Sequence, residues 1–344
     1  MDPPDLRQGP AAQQIAADNR AIEFGKPAGQ RCLDHHGILP ERASATLIVM
    51  RVGILILPDQ RWSVAAERWR RAESYGFAHA WTYDHIGWRD LVDGPWFDAI
   101  PTLTAAALVT SRIRLGTMVA SPHFRHPAHF AREVTALDDI CGGRLMLGVG
   151  AGGIAGYDNH VLGQRPLTRR GRVDRFTEFV ELLDAILRGE SVTRYGEYYT
   201  VVDGRSTPGC VQTPRVPFVV AATGPRSMRL AARYGAGWVT TGTRADDVDQ
   251  WWRTVSEMAH RFDDALDATG RDPSTVDRYL MLDPASPVYS LSNVDYFADS
   301  VGRAADHGFT DVVTYWPRAA GWYAGDEAVL EAVATEILPH LSWS

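Results

Sequence analysis

Lysine is almost absent from this chain, since Lys26 is the only lysine among 344 residues. Nearly every basic group is therefore an arginine, which stays protonated and cannot act as an amine nucleophile. This argues against Schiff-base aldolases and pyridoxal-dependent enzymes. Acidic residues outnumber basic ones by 42 to 35, and the formal charge of -7 disfavours general binding to nucleic acids or anionic membranes. Small molecules remain as the expected partners.

Cysteine and long apolar runs are also scarce. The three cysteines, Cys32, Cys141 and Cys210, are far apart and form no CxxC pair, so no disulfide framework or zinc ribbon is predicted. The longest apolar run, residues 47–57, contains Arg51 and falls short of the roughly 20 residues that span a bilayer. The first thirty residues contain no apolar core of a secretory signal. We therefore expect a cytoplasmic protein with no membrane segment.

The first 49 residues differ from the rest of the chain. They are polar and lack periodic apolar positions, so they cannot offset the entropy of ordering themselves. We predict a disordered N-terminal extension over residues 1–49 and one folded domain over residues 50–341.

From residue 51 onward, apolar strand patterns alternate with helical patterns. Strands are predicted near residues 51–57, 79–83, 113–119, 144–149, 217–222, 237–241, 278–282 and 311–315. Helices are predicted near residues 62–75, 98–110, 127–140, 170–188, 226–234, 246–268, 293–307 and 326–338. Eight such units predict an α/β fold, a closed (β/α)₈ TIM barrel, with a doubly wound open sheet as the alternative. Residues 189–216 interrupt the alternation and are predicted to form a hairpin-like insertion.

Catalytic groups of such barrels lie on the loops that follow the strands. After the second strand comes Asp84-His85, followed by Trp88. An acid beside an imidazole suggests a pair that handles protons or contacts a cofactor. The alternative is an aspartate that caps a turn and a histidine bound by backbone groups.

A glycine-rich segment, GVGAGG at residues 148–153, follows the fourth strand. It satisfies GxGxxG, but it does not open a helix at once and does not lie in the first unit, as a dinucleotide fingerprint would. We interpret Gly150, Ala151 and Gly152 as a surface free of side chains against which a flat ring can lie. A flexible tight turn is the alternative.

The turn after the fifth strand of this series, Ala222-Thr223-Gly224-Pro225-Arg226, leads directly into a helix. Free N–H groups and the helix dipole make such a turn a phosphate site, which Arg226 or the following Ser227 could reinforce. An ordinary helix start explains the same residues.

Two polar clusters complete the candidates. His123, His126 and His129 have a spacing of three, but Pro127 begins a helix among them and no carboxylate is near, so no metal site is predicted. The arginines near the start of the fourth helix form either a solvated basic face or a basic lip that attracts an anionic cofactor: Arg165, Arg169, Arg170 and Arg172.

Three segments carry a family resemblance: WTYDH after the second strand, RIRLGTMVASPHFRHPAHFAREVTALDDICGGRLMLGVGAG, and VPFVVAATGPRSMRLAARYGAGWV. Together they resemble the bacterial luciferase-like oxidoreductases, over about residues 50–341. That resemblance implies a (β/α)₈ barrel that uses coenzyme F-420, a deazaflavin, or FMN. The Asp-His pair is more similar to the F-420 branch.

The resemblance also implies roles for individual residues. Asp84 and His85 correspond to a catalytic pair beside the cofactor ring. Met118 and Val119 correspond to a bulge where relatives hold a non-prolyl cis peptide against the ring. Ala151 and Gly152 approach the cofactor side chain, and residues 222–225 bind its phosphate. A homodimer is a further implication of the resemblance.

The chain departs from the sugar-phosphate dehydrogenase of that branch. Gly153 stands where that enzyme has a catalytic glutamate, and the barrel has no lysine to hold a substrate phosphate. Glucose 6-phosphate is therefore a poor substrate candidate. Aromatic loop residues, among them Trp88, Phe124 and Tyr157, favour a small apolar organic substrate.

The predicted function is flavin- or deazaflavin-dependent oxidoreduction, either by hydride transfer to or from the substrate or by monooxygenation. Two alternatives stay open at this point. One is a barrel that binds flavin or deazaflavin without turnover. The other is a nicotinamide-dependent dehydrogenase with an open α/β sheet.

Overall fold

The computed structural model describes residues 50–153 and 156–341. The predicted N-terminal extension, residues 1–49, lies outside the described residues, and its disorder stays a prediction. Among the described residues, no helix combines the length and the apolar character needed to cross a membrane.

Eight parallel strands form a closed barrel. The strands of the described chain are β1 (Arg51–Leu55), β2 (His79–Thr82), β3 (Arg114–Ala120), β4 (Leu145–Gly150), β5 (Val192–Tyr195), β6 (Thr200–Gly204), β7 (Phe218–Ala221), β8 (Gly237–Thr240), β9 (Asp277–Met281) and β10 (Asp311–Tyr315). Around the barrel the order is β1-β2-β3-β4-β7-β8-β9-β10, and β10 pairs with β1 to close it. The predicted (β/α)₈ barrel is confirmed, and the open-sheet alternative is wrong.

Helices cover the outside of the barrel. They are α1 (Trp62–Ser74), α2 (Ala99–Val109), α3 (Pro127–Ile140), α4 (Tyr157–Val161), α5 (Arg169–Leu187), α6 (Pro225–Tyr234), α7 (Val248–Thr269), α8 (Val294–Asp306) and α9 (Glu327–Glu336). Short 3-10 helices span Arg89–Asp93, Pro273–Thr275, Ser290–Ser292 and Leu338–His340. Side chains at the predicted starts cap several helices, as Asp98, Thr168 and Asp247 each accept a backbone N–H.

The predicted insertion contains an antiparallel hairpin of β5 and β6. Glu178 of α5 anchors it, because its carboxylate accepts the backbone N–H groups of Glu197, Tyr198 and Tyr199. The hydroxyl of Tyr199 donates to the carbonyl of Pro122 at 3.3 Å. The hairpin is thereby held beside the loop that follows β3.

The N-terminal end of the barrel is sealed by a buried polar network. His79 Nε2 lies 3.0 Å from Asp311 Oδ1, and Arg51 donates to both carboxylate oxygens of Asp311. The indole of Trp81 donates to His79 Nδ1 at 2.6 Å. Burial alone would raise the pKa of Asp311, but the hydrogen bonds from His79 and Arg51 outweigh it and lower that pKa.

Candidate active site

At the C-terminal ends of the strands, His85 is held by a carboxylate from another loop. His85 Nδ1 donates to Asp158 Oδ2 at 2.6 Å, and Asp158 Oδ1 accepts the N–H groups of Ile86 at 2.8 Å and Gly87 at 3.4 Å. Since an ionised carboxylate can only accept, this contact assigns the shared proton to Nδ1. Nε2 then has no hydrogen-bond partner among the described residues, and the His85 side chain is 28% exposed.

Asp84 has a different partner from its neighbour. Its carboxylate accepts two hydrogen bonds from Arg125, at 2.7 and 3.2 Å, and Arg125 also donates to Glu133 at 2.8 Å. Burial raises the pKa of Asp84, and the hydrogen bonds and charge of Arg125 offset part of that rise. Asp84 and His85 are adjacent in sequence, but the acid that contacts the imidazole is Asp158, which the sequence analysis did not assign.

The bulge that the resemblance implies at Met118 and Val119 lies within β3 and has the expected backbone. The Met118–Val119 peptide bond is cis, and the pairing of β3 with β4 shifts register between Thr117 and Ala120. The bulge packs tightly on β4, because a Cβ at Gly148 would overlap the carbonyl oxygen of Thr117. A Cβ at Gly150 would lie 2.6 Å from Val119 Cγ2.

The glycine-rich segment has neighbours from the same protein in the direction that a Cβ would take, and its role as a surface for a flat ring stays a prediction. Val119 fills the space beside Gly150, and the ring of His123 fills the space beside Gly152, whose φ of +73° also favours glycine. These glycines are needed for contacts within the protein. Small half-buried side chains, Val119, Ala151 and Ala221, remain partly open at the ends of β3, β4 and β7.

The turn before α6 presents backbone donors. The N–H groups of Thr223, Arg226 and Ser227 have no acceptor among the described residues, while the Ser227 hydroxyl accepts from the Gly224 N–H at 3.3 Å. Thr223, Pro225 and Arg226 are exposed, and Ala222 is buried. The Arg226 guanidinium forms an ion pair with Asp174 of α5, so the backbone N–H groups are the free donors here.

Two of the three predicted pocket aromatics lie on the His85 side of the barrel mouth. Tyr157 packs over Gly87, where a Cβ would lie 2.7 Å from its ring. Trp88 packs against Tyr83 and Tyr323, with ring centroids 5.2 and 6.1 Å apart. The Phe124 ring lies beside Arg125, whose guanidinium is 5.0 Å from the ring centre, and its place in a substrate pocket stays a prediction.

Sequence reasoning missed a group of buried tyrosines beneath Trp88. The Tyr83 hydroxyl lies 2.6 Å from that of Tyr315 and 3.3 Å from that of Tyr323. Burial raises the pKa of each of the three phenols. These hydroxyls are neutral donors and acceptors inside the mouth of the barrel.

The three histidines that follow β3 have separate surroundings. His123 lies 3.2 Å from the Ser121 hydroxyl, His126 accepts the N–H of Ala128, and His129 is exposed. Within residues 50–153 and 156–341, no cluster of three or more His, Cys, Asp or Glu side chains could hold a metal.

Comparison with known proteins gives concordant results. The family model described as luciferase-like monooxygenase matches residues 46–286. The chain is 31% identical to an F-420-dependent glucose-6-phosphate dehydrogenase of Beutenbergia cavernae, over 78% of this chain and 90% of that protein. It is 30% identical to the F-420-dependent hydroxymycolic acid dehydrogenase of Mycobacterium tuberculosis, over 76% and 69%. It is 32% identical to 4-hydroxyprotoasukamycin monooxygenase of Streptomyces nodosus subsp. asukaensis, over 73% and 62%.

Solved structures show the same fold. The F-420-dependent tetrahydromethanopterin reductase of Methanopyrus kandleri superposes with a TM-score of 0.68 at 20% identity, covering 85% of this chain and 99% of that one. An F-420-dependent secondary alcohol dehydrogenase superposes with a TM-score of 0.71 at 19% identity, covering 86% and 99%. The resemblance drawn from the sequence is confirmed, and the chain belongs to the luciferase-like monooxygenase family.

Proposed function

We propose that this chain is an F-420-dependent oxidoreductase that moves a hydride between the deazaflavin and a small organic substrate. The observation that carries the proposal is His85, whose free Nε2 lies at the same end of the barrel as the Met118–Val119 bulge and the open turn before α6. Relatives named as F-420-dependent dehydrogenases support F-420 over FMN. An FMN-dependent monooxygenase is the second candidate, because one relative is a monooxygenase.

The residues present suit such a cofactor. The exposed N–H groups at the start of α6 suit a phosphate, because a helix N-terminus carries partial positive charge and unpaired donors. Val119, Ala151 and Ala221 are small or apolar and half-buried, which suits contact with a flat ring. F-420 or FMN would be held by these side chains together with residues 222–226, while Gly150 and Gly152 let the β3 segment approach β4.

When bound, F-420 supplies hydride transfer. His85 supplies proton transfer: its Nε2 takes a proton from the substrate as the hydride leaves, or returns one in the reverse direction. Asp158 orients the imidazole and stabilises its charged form through the 2.6 Å contact with Nδ1. Asp84 acts as a positioning residue, because its ion pair with Arg125 fixes the start of the loop that carries His85.

The substrate proposal is a small, largely apolar organic molecule. Trp88 and Tyr157 supply aromatic surface near His85, and the buried tyrosine hydroxyls supply a few polar contacts. Gly153 and the lack of lysine in the barrel still disfavour glucose 6-phosphate. A homodimer and a cytoplasmic location remain proposals, supported respectively by the family resemblance and by the low cysteine content. Light scattering of the purified chain tests the dimer.

The direct test is a titration of the purified chain with F-420, and in parallel with FMN, followed by fluorescence. We expect saturable binding of F-420 and weaker binding of FMN. A panel of secondary alcohols and of enones then tests oxidation by F-420 and reduction by its reduced form. Tighter binding of FMN, with oxygen-dependent turnover, would favour the monooxygenase candidate, and no binding of either cofactor would reject both.

A further inference from the structure

Two arginines of α5 lack the partners that half-buried arginines normally have. The Nε atoms of Arg172 and Arg175 are buried and have no hydrogen-bond partner within residues 50–153 and 156–341. Among the described residues, Arg172 donates one hydrogen bond, from Nη1 to the carbonyl oxygen of Gly152 in the loop after β4. Neither guanidinium lies within 4.0 Å of a carboxylate among the described residues.

Several other buried or half-buried arginines of the described residues are well satisfied, whereas half-buried Arg68 has only Asp59, at 3.9 Å. Arg125 binds Asp84 and Glu133, and Arg215 binds Asp184 and two backbone carbonyls. Arg144 donates to the carbonyl oxygens of several residues between α2 and β4. Because removing a guanidinium from water costs free energy unless it is paired, the buried Nε atoms of Arg172 and Arg175, with no carboxylate within 4.0 Å, need an explanation.

The acids nearest to this pair are committed elsewhere. Asp174 points to another face of α5 and binds Arg226. Both oxygens of Glu178 accept backbone N–H groups of the hairpin, and both oxygens of Asp158 are engaged by the His85 loop.

The pair faces the barrel rim. Gly152 and His123 border it on one side, and the hairpin residues Tyr198 and Tyr199 on the other. Burial, and after it the charge of Arg175, lowers the pKa of His123 to about 4, so this imidazole is neutral near pH 7. Burial and the nearby positive charges of Arg169 and Arg175 lower the pKa of Arg172. The region thus holds uncompensated positive charge.

We propose that Arg172 and Arg175 form an oxyanion site, which binds a phosphate or carboxylate group of a molecule that occupies the barrel mouth. Guanidinium groups bind such anions through paired, charge-assisted hydrogen bonds. Arg226, at the turn before α6, is not part of this pair, because it binds Asp174 of α5. The anion belongs either to the side chain of the proposed cofactor or to the substrate. In the first case the inference rests on the proposed function.

The proposal also divides the basic cluster that the sequence indicated. Arg165, Arg169 and Arg170 are exposed, and the Arg170 side chain is 88% exposed beside Asp174. Arg172 alone among the four turns toward the rim, where Arg175 joins it. Arg169 and Arg170 therefore provide matched controls in the first turn of α5.

Residue-resolved labelling of the full chain with phenylglyoxal tests the site. Peptide mass spectrometry follows Arg172 and Arg175, with Arg169 and Arg170 as internal controls, at constant ionic strength set with chloride. A saturating oxyanion, at about ten times its dissociation constant, should slow labelling of the inner pair about tenfold. Inorganic phosphate is the first probe, followed by riboflavin, FMN and F-420.

The outcomes separate the sources of the anion. Protection by phosphate, together with stronger protection by FMN or F-420 than by riboflavin, supports a site for the cofactor side chain. If phosphate protects the pair and neither FMN nor F-420 protects it further, the site binds an acidic group of the substrate. If phosphate does not slow the labelling of Arg172 and Arg175 more than that of Arg169 and Arg170, the proposal is overturned. Because cofactor binding is read separately by fluorescence, failure to bind F-420 or FMN rejects the proposed function without deciding this site.

A pair of double variants gives a second readout. Phosphate should raise the Tm of the wild-type chain and of R169Q/R170Q above the value in chloride, and should raise it less in R172Q/R175Q. If the cofactor supplies the anion, the preference for FMN over riboflavin should fall about tenfold in R172Q/R175Q, as expected for loss of charge-assisted hydrogen bonds. An unchanged response to phosphate in R172Q/R175Q would contradict the site.

Discussion

The barrel contains the same chemical contact at both of its ends. At the N-terminal end, His79 contacts Asp311 at 3.0 Å, with side chains 2% and 0% exposed. At the C-terminal end, His85 contacts Asp158 at 2.6 Å, with side chains 28% and 6% exposed. The first imidazole uses both ring nitrogens, since Trp81 donates to its Nδ1. The second keeps Nε2 free.

The difference shows that residue type alone does not identify a catalytic histidine. A histidine with both nitrogens engaged and no access to solvent can only hold the barrel together, as expected for the N-terminal face of this fold. A histidine oriented through one nitrogen, with the other open at the C-terminal face, can exchange a proton with a bound molecule. Substitutions at the two ends should therefore affect different measurements.

The largest effect is expected at the sealed end. Asp311→Ala leaves His79 without its acceptor and Arg51 with only the half-exposed Asp277, which should lower the free energy of unfolding by about 3 kcal/mol. Urea denaturation measures the change, with Asp326→Ala at the exposed cap of α9 as a control expected to cost about 1 kcal/mol. A loss for Asp311→Ala no larger than that of the control would show that the network does not hold the barrel.

The free energy of unfolding should depend on pH through His123, which lies at the rim of the barrel. The pKa of His123 is lowered to about 4 by burial and nearby arginines, below the 6.5 of an unfolded chain. The folded protein therefore favours neutral His123. This preference costs no stability above about pH 6.5, and as the pH falls toward 4 the free energy of unfolding drops by up to about 3 kcal/mol.

Unfolding free energies measured from pH 7 to pH 4 check this expectation. His123→Gln should show a shallower loss of stability over that range than the wild-type chain. The exposed His260→Gln is the control and should follow the wild type. If the free energy of unfolding falls equally with pH in the wild type and in His123→Gln, the folded protein does not lower the pKa of His123.

The orienting role of Asp158 should appear mainly in turnover. Asp158→Asn keeps the shape of the side chain but removes the charge that stabilises the imidazolium, so the rate of the chemical step should fall about tenfold, or about 1.4 kcal/mol. The pH dependence of the rate should shift as well, a change that a purely structural contact would not produce. Cofactor affinity should stay within about twofold, because the turn before α6 is unaffected. An unchanged rate and pH profile would remove Asp158 from the mechanism.

Local patterns were sufficient for the architecture. All eight barrel strands lie within two residues of their predicted bounds, because apolar alternation reports burial directly. The resemblance located the Met118–Val119 cis bond and the open turn before α6. These features depend on short continuous segments.

Side-chain pairing across the barrel could not be predicted in the same way. Asp158 lies 73 residues from His85, and Arg125 lies 41 residues from Asp84, so only the closed fold brings each pair together. The contacts of Gly150 and Gly152 with Val119 and His123 could not be predicted either, because these side chains come from β3 and the loop that follows it. The sequence also could not predict which face of α5 lies against the barrel rim, because the position of the hairpin was not known.

The most direct test of the central claim compares His85→Ala with His79→Ala by single-turnover reoxidation of reduced F-420 and by urea unfolding. For His85→Ala we expect a rate at least ~100-fold lower, or ~2.7 kcal/mol in the barrier, with less than about 1.5 kcal/mol of lost stability and near-normal F-420 binding. His79→Ala should instead lose about 2–4 kcal/mol of stability and, where folded, keep most of the rate. Unchanged turnover in His85→Ala would contradict the assignment of the open histidine as the proton-transfer group.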